Sequence, residues 1–98
     1  MPKYLVLWEA DPSKQPIDPK ERGAALSALL DMVKHGIKEG TTIDWGSFLG
    51  EDRGYSISEV SEMELEKKLY RYAPFITFKV HRVMSVEQLA ELAKSLTE

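Results

Sequence analysis

The side chain in this sequence that is best suited to acid–base chemistry is the imidazole of His81. It lies in the apolar run 75–83, where strand alternation places it on the face opposite to Ile76, Phe78 and Val80. A histidine titrates close to neutral pH, so at this position it can act as a general base toward a bound molecule. The same position also suits a hydrogen bond across a subunit seam, and the sequence leaves both interpretations open.

Aromatic side chains are the second candidate feature. Trp8, Trp45, Phe48 and Tyr55 lie in predicted strands, and an aromatic cluster beside a histidine suits a flat hydrophobic ligand. Large aromatic side chains also serve as anchors of a core or an interface. We therefore take Trp8, Tyr55 and His81 as the predicted ligand-binding residues, with His81 as the one candidate for catalysis.

The register of a predicted hairpin decides which of these aromatic side chains share a face. If Gly50 pairs with Arg53, then Phe48 and Tyr55 lie on one face and Trp45 lies on the other. A slip of one residue reverses this assignment, because successive side chains of a strand point to opposite faces.

The sequence lacks the residues that several kinds of site require. The chain has no cysteine, which excludes disulfides and thiolate chemistry. His35 and His81 are far apart and have no carboxylate at a metal-binding spacing, so no metal site is predicted. His35 instead suits the last turn of a helix before Gly36, where a cation interacts favourably with the helix dipole. The glycines are spaced as turn signals and form no phosphate loop, and no cofactor is predicted.

Composition indicates one ordinary globular domain over residues 1–98. Hydrophobic residues make up 43% and charged residues 30% of the chain, and the net charge is −3. An acidic chain does not attract phosphate backbones, so nucleic acid is not an expected partner. The apolar run 4–8 is too short for a signal-peptide core or a membrane span, so we expect no membrane association and a cytoplasmic location.

The periodicity of the sequence predicts four strands and three helices. The strands are expected at residues 4–8, 41–49, 54–60 and 75–83. The first helix begins at Asp18-Pro19 and is predicted to stop at His35-Gly36. Its predicted buried stripe consists of Leu26, Leu29, Leu30 and Val33. Capping boxes at residues 61–64 and 85–88 begin the other two helices, of which the second ends near Tyr72. The apolar stripe of the last helix consists of Leu89, Leu92, Ala93 and Leu96.

The element order is β-α-β-β-α-β followed by a C-terminal helix, which is typical of a ferredoxin-like α+β fold with an antiparallel sheet. Its helices cover one face of the sheet only. The first strand is apolar on both faces, and Phe75 and Val83 lie on the second face of the last strand. A second sheet is the simplest cover for such a face, so the sequence predicts a homodimer.

On these features the chain resembles the dimeric α/β-barrel superfamily, which includes muconolactone isomerases and cofactor-free monooxygenases of antibiotic biosynthesis. The resemblance rests on the element order and on the strands at residues 3–9, 54–59 and 75–80. It implies a homodimer with its sheets face to face, and a cleft for a small apolar or aromatic molecule between sheet and helices or inside the barrel. Haem-degrading members use an asparagine, which this chain lacks. The alternative is a non-catalytic homodimeric interaction module.

An RNA-recognition motif has the same element order, so the sequence must also be compared with that fold. Its third strand opens with a basic residue, a glycine and an aromatic residue, as Arg53, Gly54 and Tyr55 do here. The match ends at Ile57, where a second stacking aromatic is expected. Together with the negative net charge, this mismatch disfavours RNA binding.

Overall fold

The computed structural model describes all residues from 1 to 98 and confirms a small α+β fold with four strands and three helices. A short 3-10 turn, Pro12–Lys14, follows the first strand. The elements in chain order are β1 (Lys3–Ala10), α1 (Pro19–Glu39), β2 (Thr42–Ser47), β3 (Arg53–Glu59), α2 (Glu62–Tyr70), β4 (Ile76–Val83) and α3 (Val86–Leu96).

The four strands form one antiparallel sheet in the order β2-β3-β1-β4, with β1 paired to both β3 and β4. Val6 lies opposite Ser56 on one side and Val80 on the other. Directly opposite residues share a face of an antiparallel sheet. We call the face that carries Tyr4, Val6 and Trp8 the helix face, and the face that carries Leu5, Leu7 and their opposite residues the open face.

The core lies between the helix face and the helices. Tyr4 and Val6 form a buried cluster with Val60 and with Leu65 of α2, and Phe78 packs against it. Alternation along β1 explains this arrangement, because Tyr4, Val6 and Trp8 are buried while the intervening residues are partly exposed. The run 4–8 is therefore a strand whose two faces differ in burial.

The end of α1 corrects one expectation from the sequence. The helix continues through His35 and Gly36 and ends at Gly40, which has a φ of 82° and is the left-handed terminator. Gly36 is buried inside the helix, where an added Cβ would lie 2.9 Å from Oγ1 of Thr42. The predicted stop at Gly36 was wrong because this glycine permits close packing of α1 against β2.

The hairpin register differs from the conditional prediction by two residues, which leaves the faces unchanged. Gly46 lies opposite Tyr55, and Trp45 lies opposite Ser56. An even shift preserves the side to which each residue points. Trp45 and Tyr55 therefore lie on opposite faces, which the sequence left open because the assignment depends on the hairpin register.

Both predicted helix starts after the hairpin carry a serine cap. Ser61 Oγ accepts a hydrogen bond from the Glu64 amide at 3.2 Å. At α3 the capping box is complete, because Ser85 Oγ accepts from the Gln88 amide and the Ser85 amide donates to Gln88 Oε1. Capping of this kind specifies where a helix begins from the sequence alone.

Two of the helices leave apolar surface uncovered. In α1 Val33 is buried, but Leu26 is 52% exposed, so the predicted buried stripe is confirmed only for the C-terminal half. In α3 no residue is buried, and Leu92 is 45% exposed. The apolar face of α3 therefore has no cover within the chain.

No helix combines the length and apolarity that crossing a membrane requires.

The shape of the chain reflects this uncovered surface. Its accessible surface is 7415 Å², roughly a third more than a compact monomer of this mass exposes. Its radius of gyration is 16.3 Å, compared with about 13 Å for a compact chain of this length. The molecule is extended to 61 Å along its longest axis. An isolated chain of this shape leaves a large apolar area in contact with water.

Candidate functional site

A cavity lies between the helix face and the helices α1 and α2. We call it the helix-side cavity; thirteen residues line it, nine of them hydrophobic. Its volume is about 30 Å³, which is room for about one water molecule. The aromatic residues that line it are Trp8, Trp45, Tyr72 and Phe78.

Aromatic stacking forms the apolar wall of this cavity. The rings of Trp8 and Trp45 stack with centroids 5.2 Å apart and an interplanar angle of 8°. Tyr72 meets Phe78 edge to face at 6.0 Å. Gly54 makes room for the first pair, because an added Cβ would lie 2.6 Å from the Trp8 ring. Gly54, the second residue of β3, thus allows the Trp8 indole ring to approach the backbone of the sheet closely.

Hydroxyl and ammonium groups meet at another part of the cavity wall. Thr42 lies opposite Ser58 in the sheet, and Lys68 Nζ donates a hydrogen bond to Thr42 Oγ1. Ser58 is 1% exposed and its hydroxyl has no hydrogen-bond partner. The indole Nε1–H of Trp8, which is 8% exposed, also has none. Leaving a buried polar group unpaired costs about 1–3 kcal/mol, so each such group calls for an explanation.

Lys68 is the one lysine in contact with the cavity, and it forms no ion pair. Burial lowers the pKa of its ammonium, and the nearby Arg71 guanidinium lowers it further, against the opposing effect of Glu39. None of the four ion pairs in the structure includes Lys68. The Glu39 carboxylate instead contacts His35 Nε2 at 2.7 Å. A partly desolvated cation without an ion-pair partner is a candidate binding group.

An open groove of about 560 Å³ runs outside the cavity between α1 and α2. We call it the outer groove. Lys68 and Tyr72 line both the outer groove and the helix-side cavity. Its other charged residues are Asp31, His35, Glu39, Glu64, Lys67 and Arg71. Lys68 and Tyr72 therefore lie between the helix-side cavity and the outer groove.

The predicted site residues Tyr55 and His81 lie on the open face, away from this cavity. His81 is exposed and lies opposite Leu5 of β1. Tyr55 lies opposite Leu7, and its hydroxyl donates to Oδ2 of Asp44 at 2.8 Å. That hydrogen bond to a carboxylate raises the pKa of the Tyr55 phenol.

The structure does not bring the three predicted ligand-binding residues together. Tyr55 and His81 share the open face, on strands that flank β1, whereas Trp8 points to the helix face. His35 is not at the helix end but forms an i,i+4 pair with Glu39 in the final turns of α1.

Sequence reasoning did not identify Thr42, Ser58 and Lys68 as a group. Thr42 and Ser58 belong to small polar types that strands commonly carry on either face, and Lys68 is one of two adjacent lysines on an acidic helix. Only their packing distinguishes them from solvated residues. The alternation of β3 places Ser58 with Ser56 and Gly54, and this row of small residues beneath large aromatics was the one available signal.

Comparison with known proteins assigns the chain to a family. It belongs to the family described as a domain of unknown function (DUF3303), whose model matches residues 2–97. No curated protein matches the chain. The family therefore indicates no specific function, and functional arguments rest on the geometry of the chain itself.

Proposed function

We propose that this member of the family binds a small aromatic or apolar molecule in the helix-side cavity. The observation that carries the proposal is a cavity walled by stacked aromatics in which two deeply buried polar groups, Trp8 Nε1 and Ser58 Oγ, lack partners. Ligand sites combine such apolar walls with a few polar groups that fix orientation. The resemblance to dimeric α/β barrels also implies a cleft between sheet and helices.

Binding requires the cavity to enlarge, and α1 is the element suited to move. Only its C-terminal half packs on the sheet, through Val33 and Gly36, while residues 19–28 are exposed. A helix held at one end can tilt at a lower cost than one packed along its length. A ligand that prefers the opened cavity shifts the population toward it.

The indole N–H groups of Trp8 and Trp45 provide a direct assay, because the chain contains only these two tryptophans. A panel of one-ring and two-ring aromatic acids and amides is titrated while both indole resonances are followed by NMR. We expect a saturable shift of the Trp8 resonance with at least one probe. Absence of any shift at millimolar probe would overturn the proposal.

Two matched variants of α1 test the location. Val33→Phe adds volume to a buried cavity residue, whereas Leu26→Phe adds the same ring at a position that is 52% exposed. Val33→Phe should abolish binding and Leu26→Phe should preserve it, provided that both variants keep a cooperative thermal transition. Equal binding by both variants would place the ligand elsewhere.

For the assembly we propose a homodimer of ferredoxin-like chains, as in the dimeric α/β-barrel superfamily, joined through the open face. Support comes from the strand order β2-β3-β1-β4 and from an open face that carries Leu5, Leu7 and Ile57 with no cover. In this arrangement Tyr55 and His81 are seam residues. A monomer mass by light scattering at micromolar concentration would refute it. A cytoplasmic location and the absence of nucleic-acid partners stay predictions.

A non-catalytic homodimeric module is the second candidate function. The observation in its favour is the uncovered apolar surface of α3 together with an accessible surface of 7415 Å². A standard interface buries about 800 Å² on each partner, which is less than the excess over a compact monomer. A dimer that forms normally but leaves both indole resonances unshifted by every probe would favour this candidate over ligand binding.

A further inference from the structure

We infer that the ligand of the helix-side cavity is a small aromatic or apolar carboxylic acid, whose carboxylate is bound by Lys68 between Thr42 and Ser58. This inference rests on the proposed function and specifies the chemical class of its ligand. The apolar body of the acid lies along the stacked Trp8 and Trp45 rings, and its charged end faces α2.

The contacts around Lys68 form a small polar recess. Its ammonium donates to the hydroxyl of Thr42, which is 3% exposed, and Thr42 lies opposite the unpaired hydroxyl of Ser58. Gly36 of α1 packs closely over this recess, because an added Cβ would lie 2.9 Å from Thr42 Oγ1 and 3.5 Å from Lys68 Nζ. Three hydrogen-bonding side chains, from two strands and a helix, thus line this part of the cavity, and Gly36 packs against two of them.

The charges in this recess favour an anion. Lys68 has no ion-pair partner, and Glu39, whose charge acts on Lys68, contacts His35 Nε2 instead. A carboxylate that enters the recess would accept hydrogen bonds from an ammonium and from the Ser58 hydroxyl, which now has no partner. Charge-assisted hydrogen bonds of this kind are roughly twice as strong as neutral ones. A neutral ligand would leave the partly buried Lys68 ammonium without an ion-pair partner.

The access route agrees with an amphipathic acid. Lys68 and Tyr72 line both the cavity and the outer groove, so a ligand passing between them keeps its polar end beside water. The outer groove carries the acids Asp31, Glu39 and Glu64 as well as Lys67 and Arg71. Its mixed charge gives no general attraction for anions, so selectivity for an acid must come from Lys68 itself.

The test compares trans-cinnamate with its primary amide, which has the same shape without the charge. Both are titrated into the full chain, and dissociation constants are obtained from the Trp8 and Trp45 indole resonances. We expect the acid to bind at least about tenfold more tightly than the amide, the factor that one hydrogen bond to a charged group supplies.

Variants of neighbouring lysines on α2 separate charge from structure. Lys68→Gln keeps an N–H donor at this position and removes the charge, so the ratio of acid affinity to amide affinity should fall to about one. Lys68→Arg should retain the preference, since it preserves the cation. Lys67→Gln is the matched control, because Lys67 lines the outer groove but not the cavity, and it should behave as the unaltered protein.

The outcomes distinguish the inference from the proposed function. Equal affinity of the unaltered protein for acid and amide, or a preference that persists in Lys68→Gln, would overturn the acid inference and leave ligand binding intact. If neither probe shifts an indole resonance, the acid inference is overturned too. If no compound of the wider panel shifts one, the proposal of ligand binding is overturned as well. The acid-to-amide ratio of the unaltered protein keeps the test decisive even if a Lys68 variant fails to fold.

Discussion

Replacing Gly36 with alanine should destabilise the protein, whereas replacing Gly23 in the same helix should stabilise it. Neither glycine has a positive φ, so alanine can adopt the backbone conformation at both positions. Inside a helix alanine is favoured over glycine by about 0.5–1 kcal/mol. Nothing lies within 4 Å of a Cβ added at Gly23, so the Gly23→Ala variant should show this gain in full.

At Gly36 the same gain is opposed by a steric contact. The added Cβ would lie 2.9 Å from Oγ1 of Thr42, a side chain that is 3% exposed and hydrogen-bonded by Lys68. Thr42 cannot swing into solvent, so α1 or β2 must shift, and overpacking of this kind costs about 1–3 kcal/mol. The two variants should therefore differ in their free energy of unfolding by about 1–3 kcal/mol, or at least about 5 °C in Tm.

Thermal and urea unfolding followed by circular dichroism measure this difference. Both variants are compared with the unaltered protein at one protein concentration, so that any association contributes equally. The urea m-value should be unchanged. If Gly36→Ala is as stable as Gly23→Ala, the close approach of α1 to Thr42 is refuted, and with it the narrow recess around Lys68.

Three further predictions concern separate parts of the molecule. Ser58→Ala removes a buried hydroxyl without a partner, so it should raise the free energy of unfolding by about 1 kcal/mol. A clear decrease in the free energy of unfolding, measured in urea, would mean that the hydroxyl is hydrogen-bonded. His81→Ala changes a residue on the face opposite to the cavity, so it should weaken the dimer in sedimentation and leave probe affinity unaltered; the reverse result would return His81 to the ligand site. Deletion of residues 85–98 removes a helix with no buried residue, so the chain should remain folded. The dimer should be weakened by several kcal/mol, because each leucine buried in an interface contributes about 1.5–3 kcal/mol. A truncated chain that dimerises like the full one would show that α3 makes no contact with the partner.

The sequence predicted the elements of this fold more reliably than their ends. Local signals fix where a helix begins, and the serine caps at Ser61 and Ser85 are present as expected. The end of α1 was misjudged because Gly36 and Gly40 are both glycines near the end of the same apolar pattern. The helix ends at the glycine that adopts the positive φ, which is Gly40, and the sequence pattern alone does not distinguish it from Gly36.

Burial was harder to predict than secondary structure. The leucine pattern of α1 and the stripe of α3 correctly indicate helices, but Leu26 and Leu92 remain about half exposed within one chain. An apolar stripe indicates only that a helix has an apolar face that must be buried against something. Whether the cover comes from the same chain depends on how far the helix reaches beyond the sheet.

The sequence by itself determined the α+β class and the antiparallel hairpin, because these follow from periods of two and 3.6 residues and from turn and cap residues. The opposite faces of Trp45 and Tyr55 depend on the hairpin register, which only the fold decided. Tertiary structure alone decided that Trp8 lies away from Tyr55 and His81. Alternation within a strand fixes relative sides, but the pairing of β1 with β3 and β4 decides which sides coincide.

The polar recess of Thr42, Ser58 and Lys68 was also decided only by the fold. These residues come from two strands and a helix, and Lys68 is distinguished from its neighbour Lys67 by reaching the cavity. A side chain's solvation depends on what packs above it, and residues distant in sequence supply that cover. The candidate site therefore forms only where α1 and α2 pack against the helix face. No local sequence pattern predicts that packing.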